Sequence, residues 1–513
     1  MNLRIGIVAA AALSAPLCAR AQAPAVTRAS GTITEADVRA RIGLIAHDSM
    51  GGRNTPSPGL TRTADYIARE FKRLGLKPGG DAGSYLMKYP IQQRKLLAAE
   101  SFVTFASPDG QTVKLSFVRD AALAGRGLPV AEGRAPLTLV GGAGRLDSFP
   151  ATDLRGRLLM FVTDWSRADA AARLLQISRA ASRSGALGLV AVVNSDSVFT
   201  ARYGGAGERL FEVAAGDRSG FFSIAVRESA IAAQAPGATA QLAALRDAAT
   251  ASAQPAPDFE GVISLRDTVV TEVFAPNVVG ILEGSDPVLK NEYLVYSAHM
   301  DHVGSAGQPG ASCRAQGADS ICNGADDDAS GTAGVLELAE AFAQRGARPK
   351  RSVVFLTVSG EEHGLWGSEW FVNHPPVPLP QIVANINADM IGRNWSDTIV
   401  AIGKEHSDLG ATLNRVNSAH PELGMNAIDD RWPEQNFYAR SDHYNFARKG
   451  VPILFFFNGV HPEYHRPGDS VEKIDAEKEA RIVKLLFFLG QDVANAAKRP
   501  EWMPISYKAI VTP

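Results

Sequence analysis

Cysteine is scarce in this chain, with three in 513 residues. No two of them stand at the finger-like spacing of a closed structural zinc site, which argues against that class. An excess of either charge is also lacking: 52 Lys and Arg against 54 Asp and Glu leave a formal net charge of -2. That balance argues against a general affinity for nucleic acid or for an anionic membrane surface. The N-terminal apolar segment, Ile5 to Leu17, falls well short of the roughly 20 residues that span a bilayer, so stable membrane insertion is not expected. What remains is an ordinary soluble balance, 45% hydrophobic and 21% charged, with length for two or three domains.

Arg4, the apolar segment and the small-x-small triplet Ala19, Arg20, Ala21 together have the form of an export signal removed after about residue 21. The expectation is an exported protein, periplasmic or extracellular. A lipid anchor on Cys18 is disfavoured, because Ala15, Pro16 and Leu17 lack the small residue expected just before such a cysteine. Cys313 and Cys322 then remain. In an exported chain this close pair is expected to form a disulfide in a loop.

Residues 22–33 are small and polar with no period. A helix is expected from Thr61 to Leu74, with Ala64, Ile67, Ala68, Phe71 and Leu74 on one stripe, ended by Gly75 and Pro78. The preceding Gly51 to Gly59 has loop composition. Residues 34–100 are assigned to the first part of a main domain. From 101 to 256 the texture changes to short strand-like runs, Val113 to Val118, Leu137 to Val140, Leu158 to Val162 and Leu189 to Val193, with one helix from Ala170 to Arg183. The Ala, Ser and Pro tract Ala248 to Pro257 reads as a return linker.

From 271 to 498 strands and helices alternate, the pattern of an α/β fold with a mostly parallel or mixed central sheet flanked by helices. Strands are expected at Tyr293 to Ser297, Ser352 to Val358, Ile382 to Ala388 and Val451 to Phe457, and helices at Gly331 to Arg345 and Asp475 to Lys498. Ligands of such sheets bind outside the carboxyl ends of the strands. Metal-type residues cluster at those ends: His299 and Asp301 after the first strand, Glu361 and Glu362 after the second, Asp389 after the third, and His461 to His465 after the fourth, with Asp327 in a D-D-D run between the first two. A lone H-x-D is ordinarily a locally satisfied histidine, and adjacent glutamates are ordinarily a solvated turn. Four strand ends in agreement are a different matter. Mixed imidazole and carboxylate donors suit zinc or a similar divalent ion. Five such donors exceed what one open catalytic zinc needs, whereas two metals sharing a carboxylate use them all.

The motifs H-M-D at His299, G-A-D-D-D-A-S-G at Gly324, G-E-E-H-G-L-W-G-S at Gly360, N-A-D-M at Asn387, S-D-H-Y-N-F at Ser441 and Y-H-R-P-G-D at Tyr464 resemble, in order, those of the di-zinc exopeptidases. That family contains bacterial leucyl-type aminopeptidases, glutamate carboxypeptidase and the divergent glutaminyl cyclases. The resemblance implies two zinc ions, one held by His299 and Asp389, the other by Glu362 and His465, with Asp327 bridging. It implies Glu361 as general base, Asp301 as the residue orienting His299, and Tyr464 as an oxyanion donor. Asp326 and Asp328 are the alternatives within the D-D-D run. The segment 101–256 resembles an inserted, β-rich protease-associated domain through D-L-R-G-R-L-L-M-F at Asp153 and S-G-A-L-G-L-V-A-V-V at Ser184.

The expected substrate is a peptide, cleaved at its N-terminal residue. A carboxypeptidase remains an alternative through Arg393, Arg431 and Arg440, which lie in the right part of the chain for a terminal carboxylate. A glutaminyl cyclase-like acyltransferase, or a binding protein that lost its metals, is disfavoured by the complete donor set. Phe437, Tyr438 and Trp432 fit either an apolar pocket or the core.

Overall fold

A computed structural model describes residues 24–106, 112–124, 131–142, 154–204, 209–213, 221–249 and 252–511. The expected signal, 1–21 with Cys18, lies outside the described residues. Among them, no helix is long and apolar enough to cross a membrane. The chain divides into two compact units, one running to Tyr89 and resuming at Phe274, the other covering Pro90–Val273.

The first unit is built on a mixed sheet. Seven of its ten strands are β1 (Asp267–Leu282), β2 (Tyr293–His299), β3 (Ser352–Val358), β4 (Ile382–Ala388), β5 (Thr398–Ile402), β6 (Asn426–Ile428) and β7 (Ile453–Phe457), in the spatial order β6, β5, β7, β4, β2, β3, β1. β3, β2, β4 and β7 are mutually parallel, while β1 and β5 run antiparallel to their inner neighbours. β2 therefore has the next strand on one side and the one after on the other. That reversal makes a crevice at the carboxyl end of β2, where ligands of open α/β sheets bind.

Both faces of the sheet are covered. Leu294, Tyr296 and Ala298 of β2 and Val353 and Phe355 of β3 join one core with helices α1 (Glu35–Ile45), α2 (Pro58–Arg73), α3 (Gly331–Ala343) and α6 (Ala476–Asn495). Val295 and Val354, Leu356 and Val358 face a second core with α4 (Trp366–Asn373) and α5 (His443–Arg448). Burial on both sides is why these strands read as apolar runs rather than as alternating ones. In α2, Ala64, Ile67 and Phe71 are fully buried; Ser57 caps its start, accepting from the Leu60 amide, and Pro58 occupies the first turn, where a missing N–H costs nothing.

The second unit carries an eight-stranded sheet in the order Thr112–Ser116, Phe102–Ala106, Ser252–Leu265, Ala131–Gly141, Leu158–Val162, Gly188–Val193, Phe222–Arg227, Ala121–Leu123. Three expectations are corrected. The tract read as a return linker is largely strand, because Ser252–Leu265 pairs with Ala131–Gly141 along its length, with a register shift between Ala256 and Glu260 that accommodates Pro257. Besides Ala170–Arg183, this unit has helices Asp196–Tyr203, Glu228–Gln234 and Ala238–Asp247; the last two are alanine-rich and separated at Pro236. In the first unit, residues 24–30, read as without period, are helical.

Candidate metal centre

Each donor is delivered by the end of a parallel strand. His299 is the last residue of β2 and is buried. Its Nε2 lies 3.2 Å from Asp327 Oδ1 and 3.5 Å from Asp389 Oδ1. Its Nδ1 is 3.2 Å from the backbone carbonyl of Asp301 and 3.7 Å from that residue's carboxylate. The carbonyl, not the side chain, is thus the nearer partner of the ring. The Asp301 carboxylate serves another contact: Oδ2 accepts from Thr55 Oγ1 (2.9 Å) and the Gly360 amide (2.8 Å), and Oδ1 faces the Glu361 amide (3.4 Å). It fixes the turn that presents the two glutamates.

The three aspartates of the D-D-D run point in three directions. Asp326 Oδ1 accepts from the Gly392 amide (2.7 Å). Asp328 accepts from the amides of Gly331 (2.8 Å), Met390 (3.2 Å) and His299 (3.1 Å), tying α3, β4 and β2 together. Asp326 Oδ2 faces His461 Nε2 (3.4 Å), whereas Asp327 faces the two expected imidazole ligands, with Oδ1 toward His299 and Oδ2 3.1 Å from His465 Nε2. Its own amide donates to Asp469 Oδ2 (3.1 Å).

Glu362 Oε2 lies 3.2 Å from His465 Nε2. Burial and the Asp327 charge act to raise the Glu362 pKa, but the imidazoles of His465 and His302 prevail and hold it down at about 2. For His465, burial acts to lower the pKa, and Glu362 and Asp327 push it up to about 10. Asp389 Oδ2 accepts from Ser441 Oγ (2.8 Å), itself held by Asn387 Nδ2 (3.0 Å). Glu361 is raised well above the ordinary carboxylate range by burial; His299 opposes, and Glu362, Asp442 and Asp389 add to the rise. Burial likewise raises Tyr464, whose ring stacks on His465 at 3.8 Å.

Two donor groups result, His299 with Asp327 and Asp389, and His302 with Asp327 and Glu362, sharing Asp327; His465 Nε2 approaches the same Asp327 and Glu362 carboxylates. Asp327 Oδ2 and His465 Nε2 are buried without an aligned hydrogen bond. Buried donors left unpaired and aimed at one another are what a cation site looks like from its ligands. The donor set, imidazole and carboxylate only, fits zinc.

The cleft over these groups is lined by the polar His299, Asp327, Glu361, Asp389, Arg440, Ser441 and Tyr464 and by the apolar Met390, Phe437, Phe455, Phe457 and Val460. Trp432 and Tyr438 pack in aromatic clusters instead, Trp432 on Trp395 and Phe457, Tyr438 on His443 and Tyr444. Of the three arginines, Arg393 pairs with Glu463 (3.0 Å) and Arg431 lies over Trp395; Arg440, over Phe437, lines the cleft. Cys313 and Cys322 are bonded.

Residues 277–489 match the model of Peptidase family M28. The match covers less than half of the chain, and that stretch is what is similar to the family. Among curated relatives, Aminopeptidase YwaD of Bacillus subtilis is 24% identical over 255 residues, 48% of this chain and 50% of that protein. A probable leucine aminopeptidase of Trichophyton verrucosum is 27% identical over 230 residues, 43% and 58% respectively. The chain thus spans about half the length of these relatives. Its fold is that of the aminopeptidase from Aneurinibacillus sp. strain AM-1, with a TM-score of 0.51 at 18% identity over 92% of this chain and 97% of that one.

Three contributors escaped the sequence reading. Arg53, in a loop recognised only by its glycines, is fully buried and donates to the carbonyls of Met300 (2.8 Å), Ile45 (3.0 Å), Asn323 (2.6 Å) and Gly324 (2.9 Å). Burial lowers its pKa to about 10, against the pull of Asp301 and Asp327. Asp469 receives the amides of Asp326 and Asp327. His302, next to Asp301, faces Glu362. Arg53→Met strands four carbonyls, so the unfolding free energy should fall by about 3 kcal/mol or more, read as a lower urea midpoint at unchanged slope.

Proposed function

We propose that the protein is a zinc exopeptidase that removes N-terminal residues from peptides. The observation that carries this reading is the pair of donor groups sharing Asp327, with Glu361 beside them. His299, Asp327 and Asp389 would hold one zinc, and Asp327, Glu362 and His465 the other. Bound there, the two ions supply Lewis acidity toward the scissile carbonyl and lower the pKa of water. The chain's own residues do the rest. Glu361 accepts the proton of the attacking water and passes it to the departing amine nitrogen as the C–N bond breaks, and its raised pKa suits both directions of transfer. Tyr464 keeps its proton at neutral pH and so can donate to the oxyanion. Asp301 holds the Glu361 turn, and Ser441 the Asp389 carboxylate. Met390, Phe437, Phe455 and Phe457 form an apolar wall for the side chain of the residue released.

Export is supported by the Cys313–Cys322 bond, since disulfides persist in oxidising compartments. The second unit is read as the protease-associated-like insert. The carboxypeptidase reading rests on Arg440, the cationic side chain on the cleft wall, suited to a terminal carboxylate.

The test is a panel of aminoacyl anilides with free and acetylated N-termini, beside peptides followed from the C-terminus. Turnover that requires a free amino group supports the aminopeptidase; release only from the C-terminus moves the assignment to carboxypeptidase. Within the panel, Phe437→Ala should reduce kcat/KM for leucyl or phenylalanyl anilides about tenfold relative to alanyl anilide. Equal losses on all three would remove Phe437 from side-chain selection.

A further inference from the structure

His302 is fully buried, yet neither of its ring nitrogens makes an aligned hydrogen bond. A buried imidazole ordinarily has a partner on at least one nitrogen. The ring is not idle in its placement. Nδ1 lies 3.0 Å from Glu362 Oε1 and 3.6 Å from Asp327 Oδ2, the two carboxylates that His465 Nε2 also approaches, at 3.2 and 3.1 Å. The two imidazoles stand nearly perpendicular, 81° apart with centroids at 5.5 Å, and reach the same pair of carboxylates from different directions. Donors bound to one zinc at about 2.0–2.2 Å lie roughly 3.0–3.5 Å from each other. The distances from the two rings to the two carboxylates are close to that separation, and the donor atoms of His302, Asp327 and Glu362 lie within 4.8 Å of one another. The backbone leaves room for the ring: a Cβ on Gly324 would come within 2.5 Å of the His302 ring carbons.

Building on the two-metal reading above, we propose that His302 is a further protein ligand of the second zinc, binding through Nδ1. The two positions are then unequal. The first is held by His299, Asp327 and Asp389; the second by Asp327, Glu362, His465 and His302. The second zinc is the more tightly retained, and the first keeps more of its coordination free for water and substrate. The H-M-D-H sequence from His299 to His302 thus serves both positions, its first residue facing one and its last the other.

The test uses the zinc-loaded protein itself. X-ray absorption at the zinc edge should count about 1.5 imidazoles per zinc, three shared by two ions, where the ligands without His302 give about 1.0. During titration with a chelator, wild type should release zinc in two steps. In His302→Ala the later step should move to at least tenfold lower chelator concentration, the earlier one staying in place. Should the variant not fold, as judged by circular dichroism, the wild-type count decides alone. Two zincs with about 1.0 imidazole each would overturn the proposal and leave His302 as a neighbour of Glu362. A protein that takes up no zinc overturns the two-metal reading first, and this proposal with it.

Discussion

Glu361→Gln should lower kcat by about three orders of magnitude or more, with KM and bound zinc little changed. The side chain is nearly isosteric, so the cleft keeps its shape. On the proposed reading, what is lost is the proton acceptor. Burial and neighbouring carboxylates hold Glu361 well above the ordinary carboxylate range, which makes the group unusually basic for a glutamate at neutral pH. An amide in its place neither takes the proton of the attacking water nor returns one to the leaving amine. A loss of that size corresponds to about 4 kcal/mol of transition-state stabilisation. Glu361 is in neither group of donor atoms, so zinc per chain should stay at the wild-type value. Loss of metal together with activity would make Glu361 a ligand and remove it from proton transfer.

Asp327→Ala should have the opposite signature. Its carboxylate faces His299 through one oxygen and His465 through the other, so both donor groups lose a member at once. We expect zinc retention at both positions to fail and turnover to disappear with it. The effect on stability separates this from misfolding. Burial opposes the Asp327 charge, but the imidazoles of His302, His299 and His465 hold its pKa well below the ordinary carboxylate range. At neutral pH the carboxylate therefore stabilises the zinc-free chain, and zinc-free Asp327→Ala should melt somewhat lower than zinc-free wild type while still unfolding cooperatively. In wild type, zinc at a hundred times its Kd should add about 2.7 kcal/mol per site and raise Tm; in the variant that rise should vanish. A variant that still gained stability from two equivalents of zinc would place the bridge on Asp326 or Asp328.

The strand ends were legible from sequence for a physical reason. β2, β3, β4 and β7 are buried on both faces, so they read as apolar runs, and a polar residue that interrupts such a run marks the point where the strand leaves the core. The direction of each aspartate in the D-D-D run was not legible. It depends on which amides reach Asp326 and Asp328, and those belong to Gly392, Met390 and Gly331, set by the packing of α3 and β4. Arg53 was invisible for the same reason, its partners being carbonyls up to 271 residues away. Thr55 and Asp469 likewise act through partners distant in the chain. Ser252–Leu265 was missed because alanine, serine and proline have loop composition, while the strand is made by its pairing with Ala131–Gly141, a tertiary effect that overrides local preference.

The central claim is that two cation positions sharing Asp327 carry the hydrolysis. It is tested most directly by stripping the mature protein of metal and returning zinc in measured fractions of an equivalent, while following leucyl anilide turnover and bound zinc together. The account predicts no turnover without zinc and activity that rises to a plateau as the second equivalent is taken up. Full turnover in the stripped protein, or a plateau with no zinc retained, would contradict it.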